Sequence, residues 1–197
     1  MPELSRLRPQ PDDRFTFFRG FLKRPKQVGS IIPSSRFLER RVTNATRADR
    51  VDLIVELGPG TGGTTRALLR VMHPNAKLLA IEINPHFVDV LARWKDDRLI
   101  VKEGSAADLG AILAELDLGS PNAIVSGIPF STMARPVGRD ILRAVHRALD
   151  PGGVFVAYQV RDRVEILGRE VFGRARVSTE LLNVPPMRVY RWEKQAA

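Results

Sequence analysis

The 197-residue chain contains no cysteine. Disulfide bonds, thiolate zinc sites and cysteine nucleophiles are therefore excluded, and the composition suits a reducing compartment. The sequence also lacks any run approaching the roughly 20 apolar residues of a membrane-spanning helix, and its first residues lack the apolar core of a signal peptide. Because this length is enough to bury a single core, we expect one domain that is soluble or rests on a surface.

Acidic residues are scarce at the beginning of the chain. Residues 1–50 hold 12 Lys/Arg and 5 Asp/Glu, so this segment carries 12 − 5 = +7 of the formal net charge of +9. Concentrated positive charge attracts anions, and nucleic-acid phosphates and anionic lipid headgroups are the two usual partners. Charge alone does not choose between these partners, and a basic surface that serves only solubility is a third interpretation.

Short apolar runs alternate with segments of helical period from Val51 onward. The runs lie at 51–57, 77–83, 98–103, 122–127 and 153–160, and each is typical of a strand buried on both faces. Strands joined by helical crossovers pair in parallel, so this order predicts a Rossmann-like α/β sheet with helices on both faces. After a short helix near 162–171, two extended runs joined through Pro185 and Pro186 predict a C-terminal antiparallel hairpin, which completes a seven-stranded sheet. We assign residues 1–50 to a basic helical extension and residues 51–197 to the ligand-binding part of the same domain.

The strongest local motif follows the first predicted strand and reads ELGPGTG at 56–62. Glycines at 58, 60 and 62 permit a sharp turn and a close approach to a ligand, and the helix predicted to begin near Thr64 presents free N–H groups. A structural turn would explain the glycines alone. Glu82, however, lies 82 − 62 = 20 residues beyond the last glycine, at the distance where such folds place a ribose-binding carboxylate. The two features together predict a nucleotide site.

This motif resembles motif I of class I S-adenosylmethionine-dependent methyltransferases, in which an acidic residue precedes G-x-G-x-G. The resemblance implies S-adenosylmethionine as cofactor, S-adenosylhomocysteine as product and no metal. It implies that Glu56 faces the methionine part of the cofactor and that Ser105 or Asp108 reads the adenine. The cofactor-binding residues implied in this way are Glu56, Gly58, Gly60, Thr61, Gly62, Glu82, Ile83, Ser105, Ala106 and Ser126.

The fourth strand ends in VSGIPF at 125–130, where class I enzymes place the residues that meet the methyl acceptor. Adenine N6 methyltransferases resemble one another in carrying an asparagine where this chain has Gly127. Because loss of a buried hydrogen-bond partner typically costs about 1–3 kcal/mol, nucleobase methylation is disfavoured. Pro129 and Phe130 complete the motif, and Phe130 either stacks on the acceptor or fills the core.

Aromatic and basic residues alternate near the start of the chain. Residues 14–26 contain four of the nine phenylalanines and five basic residues, and on a helix the stripe of Phe17, Phe18, Phe21 and Leu22 could lie in a lipid interface. The alternative is a helix that caps the core. Ser34 or Ser35 is predicted to cap the helix that begins at Arg36. The predicted membrane- or substrate-binding residues are Phe17, Phe18, Arg19, Phe21, Lys23, Arg24, Lys26, Ser30 and Ser34.

Five stretches between Phe17 and Trp192 resemble the bacterial phospholipid N-methyltransferases, which convert phosphatidylethanolamine stepwise to phosphatidylcholine. They read FFRGFLKRPKQVGSIIPSS, VELGPGTGGTTRALL, AIEINPHFVDVL, VSGIPF and NVPPMRVYRW. The resemblance implies a peripheral enzyme of phospholipid metabolism on the cytoplasmic face of the inner membrane, whose N-terminal helix docks on anionic lipid. Similar enzymes often carry Tyr-Gly at the end of strand five, where this chain has Tyr158-Gln159.

The catalytic candidates are Tyr158, Gly127, Pro129 and Phe130. Methyl transfer to an amine is a direct displacement, so an enzyme mainly aligns the reacting atoms, while an ammonium substrate must first lose a proton to water, Tyr158 or Asp108. Three functions are weighed: an aminolipid N-methyltransferase, a ribosomal RNA adenine N6-dimethyltransferase, and a non-catalytic membrane-binding module of the same fold. The first is favoured, with a monomer expected and nucleic acid a less favoured partner.

Overall fold

The structure is a computed structural model that describes residues 34–196. Seven strands form one sheet in the order β3-β2-β1-β4-β5-β7-β6. The first five pair in parallel, whereas β7 runs antiparallel to both β5 and β6. The predicted Rossmann-like sheet with a C-terminal hairpin is therefore confirmed. The strands are β1 (Leu53–Leu57), β2 (Lys77–Glu82), β3 (Leu99–Glu103), β4 (Ala123–Ser126), β5 (Val154–Gln159), β6 (Arg176–Glu180) and β7 (Met187–Glu193).

Helices cover both faces of this sheet. Neighbouring strand residues point to opposite faces, so Ile54 packs in one buried cluster and Val55 in the other. The first cluster contains side chains of α1 and α2, and the second contains side chains of α4, α5 and α6. The helices are α1 (Arg36–Thr46), α2 (Gly63–Val71), α3 (Pro85–Ala92), α4 (Leu109–Glu115), α5 (Arg135–Ala148) and α6 (Arg163–Phe172).

The helix predicted to begin at Arg36 does so, and Ser35 is its N-cap because its hydroxyl accepts a hydrogen bond from the Leu38 N–H at 3.2 Å. Ser34 is half-buried just before it. The helix continues to Thr46 and ends where Arg47 adopts a left-handed conformation. Leu38 and Val42 are buried against the sheet, so α1 is packed into the same domain as the strands.

The parallel strands bring their carboxyl ends to one side of the sheet, which we call the carboxyl edge. Gln159 at the end of β5 pairs with Arg188 near the start of β7, so the turn between β6 and β7 also lies at this edge. Among residues 34–196, no helix has the length and apolarity needed to cross a membrane. The predicted lipid-binding residues Phe17, Phe18, Arg19, Phe21, Lys23, Arg24, Lys26 and Ser30 lie outside the described residues.

Candidate active site

A cleft lies at the carboxyl edge, between the loops that follow the strands and the first turns of α5, and its volume of about 750 Å³ includes space that is open to solvent. Five of the ten predicted cofactor-binding residues line it: Gly58, Glu82, Ile83, Ser105 and Ala106. Asp108, the alternative reader of adenine, lines it as well, beside Ser105. The Ser105 hydroxyl accepts a hydrogen bond from the Ala107 N–H at 3.2 Å, so it also holds the shape of this wall. Further lining residues that the sequence analysis did not name are Ile81, Gly104, Ala107, Ile128, Val137, Asp140 and Ile141.

The glycine loop owes its shape to positive φ angles at residues 60 and 62. At Gly62 a Cβ atom would also lie 2.5 Å from the Trp94 ring, so a side chain there would strike the chain that follows α3. At Gly60 no atom of residues 34–196 lies within 4 Å of the corresponding position, and its N–H donates to Glu82 Oε2 at 3.0 Å. The loop is therefore tied to the end of β2 and leaves open space above Gly60.

Glu82 is a buried carboxyl whose orientation is set by backbone hydrogen bonds. Its Oε1 accepts from the N–H groups of Ile83 at 2.8 Å and Asn84 at 2.9 Å, and its Oε2 accepts from Gly60. Burial raises the pKa of Glu82, although these three hydrogen bonds oppose the change. Since each carboxylate oxygen can accept two hydrogen bonds, Oε2 retains one acceptor position on the wall of the cleft.

Glu56 is fully buried beneath the loop and does not line the cleft. Its Oε2 accepts a hydrogen bond from the Thr65 hydroxyl at 2.6 Å, whereas its Oε1 is buried and has no partner among the residues that the structure describes. Burial raises the pKa of Glu56 to about 7; the Thr65 hydrogen bond opposes this and the charge of Glu82 adds to it. An unpartnered buried oxygen costs about 1–3 kcal/mol, so Glu56 is suited to accept from a donor group of a ligand.

Tyr158 and Gly127 meet at the other candidate part of the site. A Cβ atom at residue 127 would lie 2.7 Å from the Tyr158 hydroxyl and 3.0 Å from the Gly58 carbonyl oxygen. The tyrosine therefore occupies the space that a side chain at 127 would need, directly beside the glycine loop. Its hydroxyl accepts a hydrogen bond from the Thr64 hydroxyl at 3.0 Å.

The Tyr158 hydroxyl is poorly suited to accept a proton. Burial raises the pKa of Tyr158 above its usual value, and the negative charge of Glu56 raises it further. The group therefore stays protonated at neutral pH and acts as a hydrogen-bonding group. This corrects the expectation that Tyr158 could take the proton from an ammonium substrate.

Three other predicted residues have a structural role. Phe130 is fully buried in the core, beneath Gly138 of α5, so its interpretation as a ring that stacks on the acceptor is wrong and the core interpretation is correct. Ser126 is also fully buried, and its hydroxyl accepts from the Ile128 N–H at 3.2 Å. It shapes the end of β4. Pro129 is half-buried in the same segment, where its carbonyl accepts from the Thr132 hydroxyl.

Several site residues escaped the sequence analysis. Thr64 and Thr65 directly follow the glycine motif, and hydroxyls in the first turn of that helix were a usable signal. Gln159 donates its amide hydrogen to the Ile128 carbonyl and so joins β5 to the acceptor segment. Glu39 of α1 lies near the start of α2, where its Oε1 is 3.7 Å from the Cβ position of Gly63, and burial raises its pKa. No local pattern connects these two helices.

In the part of the chain described, no cluster of three or more His, Cys, Asp or Glu could hold a metal ion.

A protein-family profile described as "Methyltransferase domain" matches residues 54–153, which is half of the chain. The matched region includes every residue that lines the cleft. The chain belongs to this methyltransferase family. Its fold is similar to that of an O-methyltransferase from Bacillus cereus in complex with SAH, with a TM-score of 0.66 and 13% identity over 96% of this chain and 94% of the other. It is also similar to precorrin-6y C5,15-methyltransferase from Geobacter metallireducens, with a TM-score of 0.65 and 16% identity over 84% and 93%. The methyltransferase is of the class I, S-adenosylmethionine-dependent type.

Curated relatives of this methyltransferase fall into two groups. An ornithine lipid N-methyltransferase from Singulisphaera acidiphila is 29% identical over 181 residues, which cover 90% of this chain and 94% of that protein. Ribosomal RNA small subunit methyltransferase A from Nocardia farcinica is 31% identical over 161 residues, which cover 75% of this chain but 50% of that protein. The chain thus spans half of this RNA-modifying relative and nearly all of the lipid-modifying one. The resemblance to bacterial lipid N-methyltransferases is confirmed.

Proposed function

We propose that this methyltransferase transfers a methyl group to the amine of an aminolipid headgroup, phosphatidylethanolamine or a related lipid, at the cytoplasmic membrane surface. The observation that carries the proposal is the contact between Gly127 and Tyr158. A tyrosine occupies the space that the carboxamide of an adenine N6 methyltransferase would need. The similarity to an ornithine lipid N-methyltransferase along almost the whole chain supports the same class of acceptor.

The cleft residues fit the cofactor that the family uses. We assign the wall formed by Ser105, Ala106 and Ile128 to the adenine, and the free acceptor position of Glu82 to a ribose hydroxyl. We assign the unpartnered Oε1 of Glu56 to the cationic methionine end. When bound, the sulfonium supplies an electrophilic methyl group, and the chain holds the donor and the amine in line.

The acceptor amine is placed beside Tyr158 and Gly127. Absence of a side chain at Gly127 leaves room for the Tyr158 hydroxyl, and the Thr64 hydroxyl fixes its direction. Stabilisation of the methylated cation by the face of this ring is worth about 0.5–2 kcal/mol when desolvated. The proton lost by the ammonium passes to water or to a carboxyl group, because the tyrosine retains its own.

The proposal is tested with vesicles that contain phosphatidylethanolamine or ornithine lipid and with methyl-labelled S-adenosylmethionine. We expect label in the lipid extract and none in ribosomal RNA supplied in parallel. Absence of lipid-soluble label at saturating cofactor would overturn the proposal. Label in the RNA would favour the second candidate, which the relatives of the ribosomal type represent. Vesicle binding without cofactor affinity by calorimetry would favour a non-catalytic module.

Binding of S-adenosylhomocysteine is expected to depend on pH through Glu56. With a pKa of about 7 the Glu56 carboxyl of the free protein is about half ionised at pH 7 and largely neutral at about pH 5.5, and it must ionise to hold an ammonium. Affinity should therefore fall about twentyfold from about pH 7.5 to about pH 5.5, with release of nearly one proton per ligand at the lower pH. The stability of the free protein has the opposite pH dependence, because the raised pKa of Glu56 makes the free energy of unfolding fall as pH rises from its ordinary pKa of 4.5 to about 7.

Calorimetry in two buffers of different ionisation enthalpy measures the affinity and the proton release together. Glu56→Gln is the control, since it keeps the shape and removes the titration. Its affinity should be lower at neutral pH and nearly independent of pH. An equally steep dependence in this variant would assign the proton to another group.

A further inference from the structure

The turn between β6 and β7 exposes three aliphatic side chains at the carboxyl edge. Leu181, Leu182 and Val184 are 71%, 63% and 86% exposed. We call these three residues the hairpin tip. Isolated apolar residues on a surface are ordinary, but three within four positions form a protruding patch that is typical of an interaction site.

The hairpin tip is held in this orientation by polar groups that turn inward. Asn183, between the exposed residues, is only 2% exposed. Its Oδ1 accepts from the Ser35 N–H at 2.9 Å and its amide donates to the Pro185 carbonyl at 2.9 Å. Glu180 accepts from the Leu182 N–H and pairs with Arg41, both at 2.9 Å. The turn is thus anchored to the start of α1, and this anchoring directs the apolar side chains away from the protein.

The hairpin tip lies near the candidate active site in the fold. Tyr158 pairs with Val189, and Gln159 pairs with Arg188. The turn, which ends where β7 begins, therefore lies beside the end of the strand that carries Tyr158. Val160, the next residue after that strand, is also exposed. A surface that contacted the hairpin tip would therefore lie across the entrance where we place the acceptor amine.

Exposed cations lie at the same edge of the sheet as the hairpin tip. Arg161 and Arg188 are exposed at the same edge, and Arg36 lies at the start of α1 with its guanidinium 4.9 Å above the ring of the exposed Phe37. The carboxylate of Glu180 is neutralised by Arg41. Exposed aliphatic side chains with cations at the same edge match a bilayer with anionic headgroups. RNA would use the cations, but it stacks on aromatic rings and would gain little from leucine and valine.

We propose that the hairpin tip inserts into the acyl boundary of an anionic bilayer and holds the entrance of the active site at the level of the headgroups. This inference rests on the proposed function for its biological purpose, because an aminolipid acceptor is presented at that level. It concerns residues of the C-terminal hairpin and is independent of the lipid-binding prediction for residues 17–26.

The absence of native cysteine allows a single probe to be placed at the hairpin tip. Leu182→Cys is labelled with an environment-sensitive fluorophore and mixed with vesicles of phosphatidylglycerol and phosphatidylcholine. We expect a blue shift and protection from an aqueous quencher. Val71→Cys is the matched control, since Val71 is also exposed but lies at the end of α2 on the opposite edge of the sheet, and its probe should not change.

Three results would overturn the proposal. The protein could fail to bind these vesicles, or it could bind while the probe at 182 remains in water, which would mean that another surface docks. The probe could also be apolar and protected before vesicles are added and unchanged afterwards, which would mean that another part of the chain or a second copy covers the hairpin tip.

A second variant links docking to activity. Leu181→Ser/Leu182→Ser should need about tenfold or more lipid for half-maximal binding and should methylate vesicle aminolipid correspondingly more slowly, since two buried leucines are lost. The same double variant should methylate a short-chain aminolipid below its micellar concentration at the rate of the parent protein. The control variant Val71→Ser should methylate both the vesicle lipid and the short-chain lipid at the parent rate. If the parent protein methylates neither substrate, the proposed function fails, whereas the probe at 182 still decides whether the hairpin tip inserts.

Discussion

Replacement of Glu82 by alanine is expected to weaken binding of S-adenosylhomocysteine about a hundredfold. The variant lacks the carboxylate that we assign to a ribose hydroxyl, and hydrogen bonds to charged groups are worth about 1.5–3 kcal/mol each. The variant also releases the N–H of Gly60, which Glu82 holds at 3.0 Å, so the glycine loop loses its connection to β2. Both changes lower the affinity of the free protein for the ligand.

Calorimetric titration measures this loss, with Glu103→Ala as the matched control. Glu103 pairs with Glu82 across β2 and β3, but it is exposed and does not line the cleft. The control therefore removes the same charge from the same level of the sheet and should bind within about twofold of the parent. Similar losses in both variants would indicate a general effect of charge, and unchanged affinity in Glu82→Ala would remove the ribose assignment. Urea unfolding of each variant shows whether the fold is retained.

Gly127→Ala is expected to lower kcat/KM about a hundredfold, because a methyl group at this position must displace the Tyr158 ring or the glycine loop, and small displacements in an active site have effects of this size. The new Cβ would lie 2.7 Å from the tyrosine hydroxyl and 3.0 Å from the Gly58 carbonyl oxygen. Gly127→Asn should be at least as damaging. Introducing the asparagine of adenine methyltransferases at this position should therefore not create activity on RNA.

A double-mutant cycle separates the contact with tyrosine from other effects. In the Tyr158→Phe background the nearest obstacle is gone, so Gly127→Ala should cost several-fold less than it does in the parent. Gly119→Ala is a suitable control, since no atom of the described part of the chain lies within 4 Å of its Cβ position. An equal cost of Gly127→Ala in both backgrounds would show that the tyrosine hydroxyl does not restrict this position.

The sheet was predictable because its signals are local and repeated. Apolar runs of strand length, separated by helical segments, predicted all five parallel strands, and each observed strand lies within its predicted run. The observed strand boundaries differ from the predicted ones where contacts with loops determine them. Asn122 accepts hydrogen bonds from the N–H groups of Asp52 and Leu53, and β1 begins at residue 53 and not at residue 51. The hairpin followed from two extended runs with a short connection.

The candidate site was predictable where the backbone itself forms it. Gly58, Glu82 and Ser105 lie at or just beyond the carboxyl ends of three adjacent parallel strands, and the topology alone brings these positions to one edge. Residues whose role depends on side-chain direction were predicted less well. Phe130 turns into the core and Ser126 turns onto its own loop, although both stand in the segment where an acceptor was expected.

By itself, then, the amino-acid sequence determined the order of strands and helices, the glycine loop and the spacing to Glu82, since these depend on backbone preferences within a few residues. Only the tertiary structure decided that Tyr158 occupies the space beside Gly127, that Glu56 keeps an oxygen without a partner, and that Asn183 bonds to Ser35 and turns its leucine neighbours outward. Those contacts join residues far apart in the chain. Their geometry depends on how separate elements pack, and hydrophobic periodicity within one element carries no information about it.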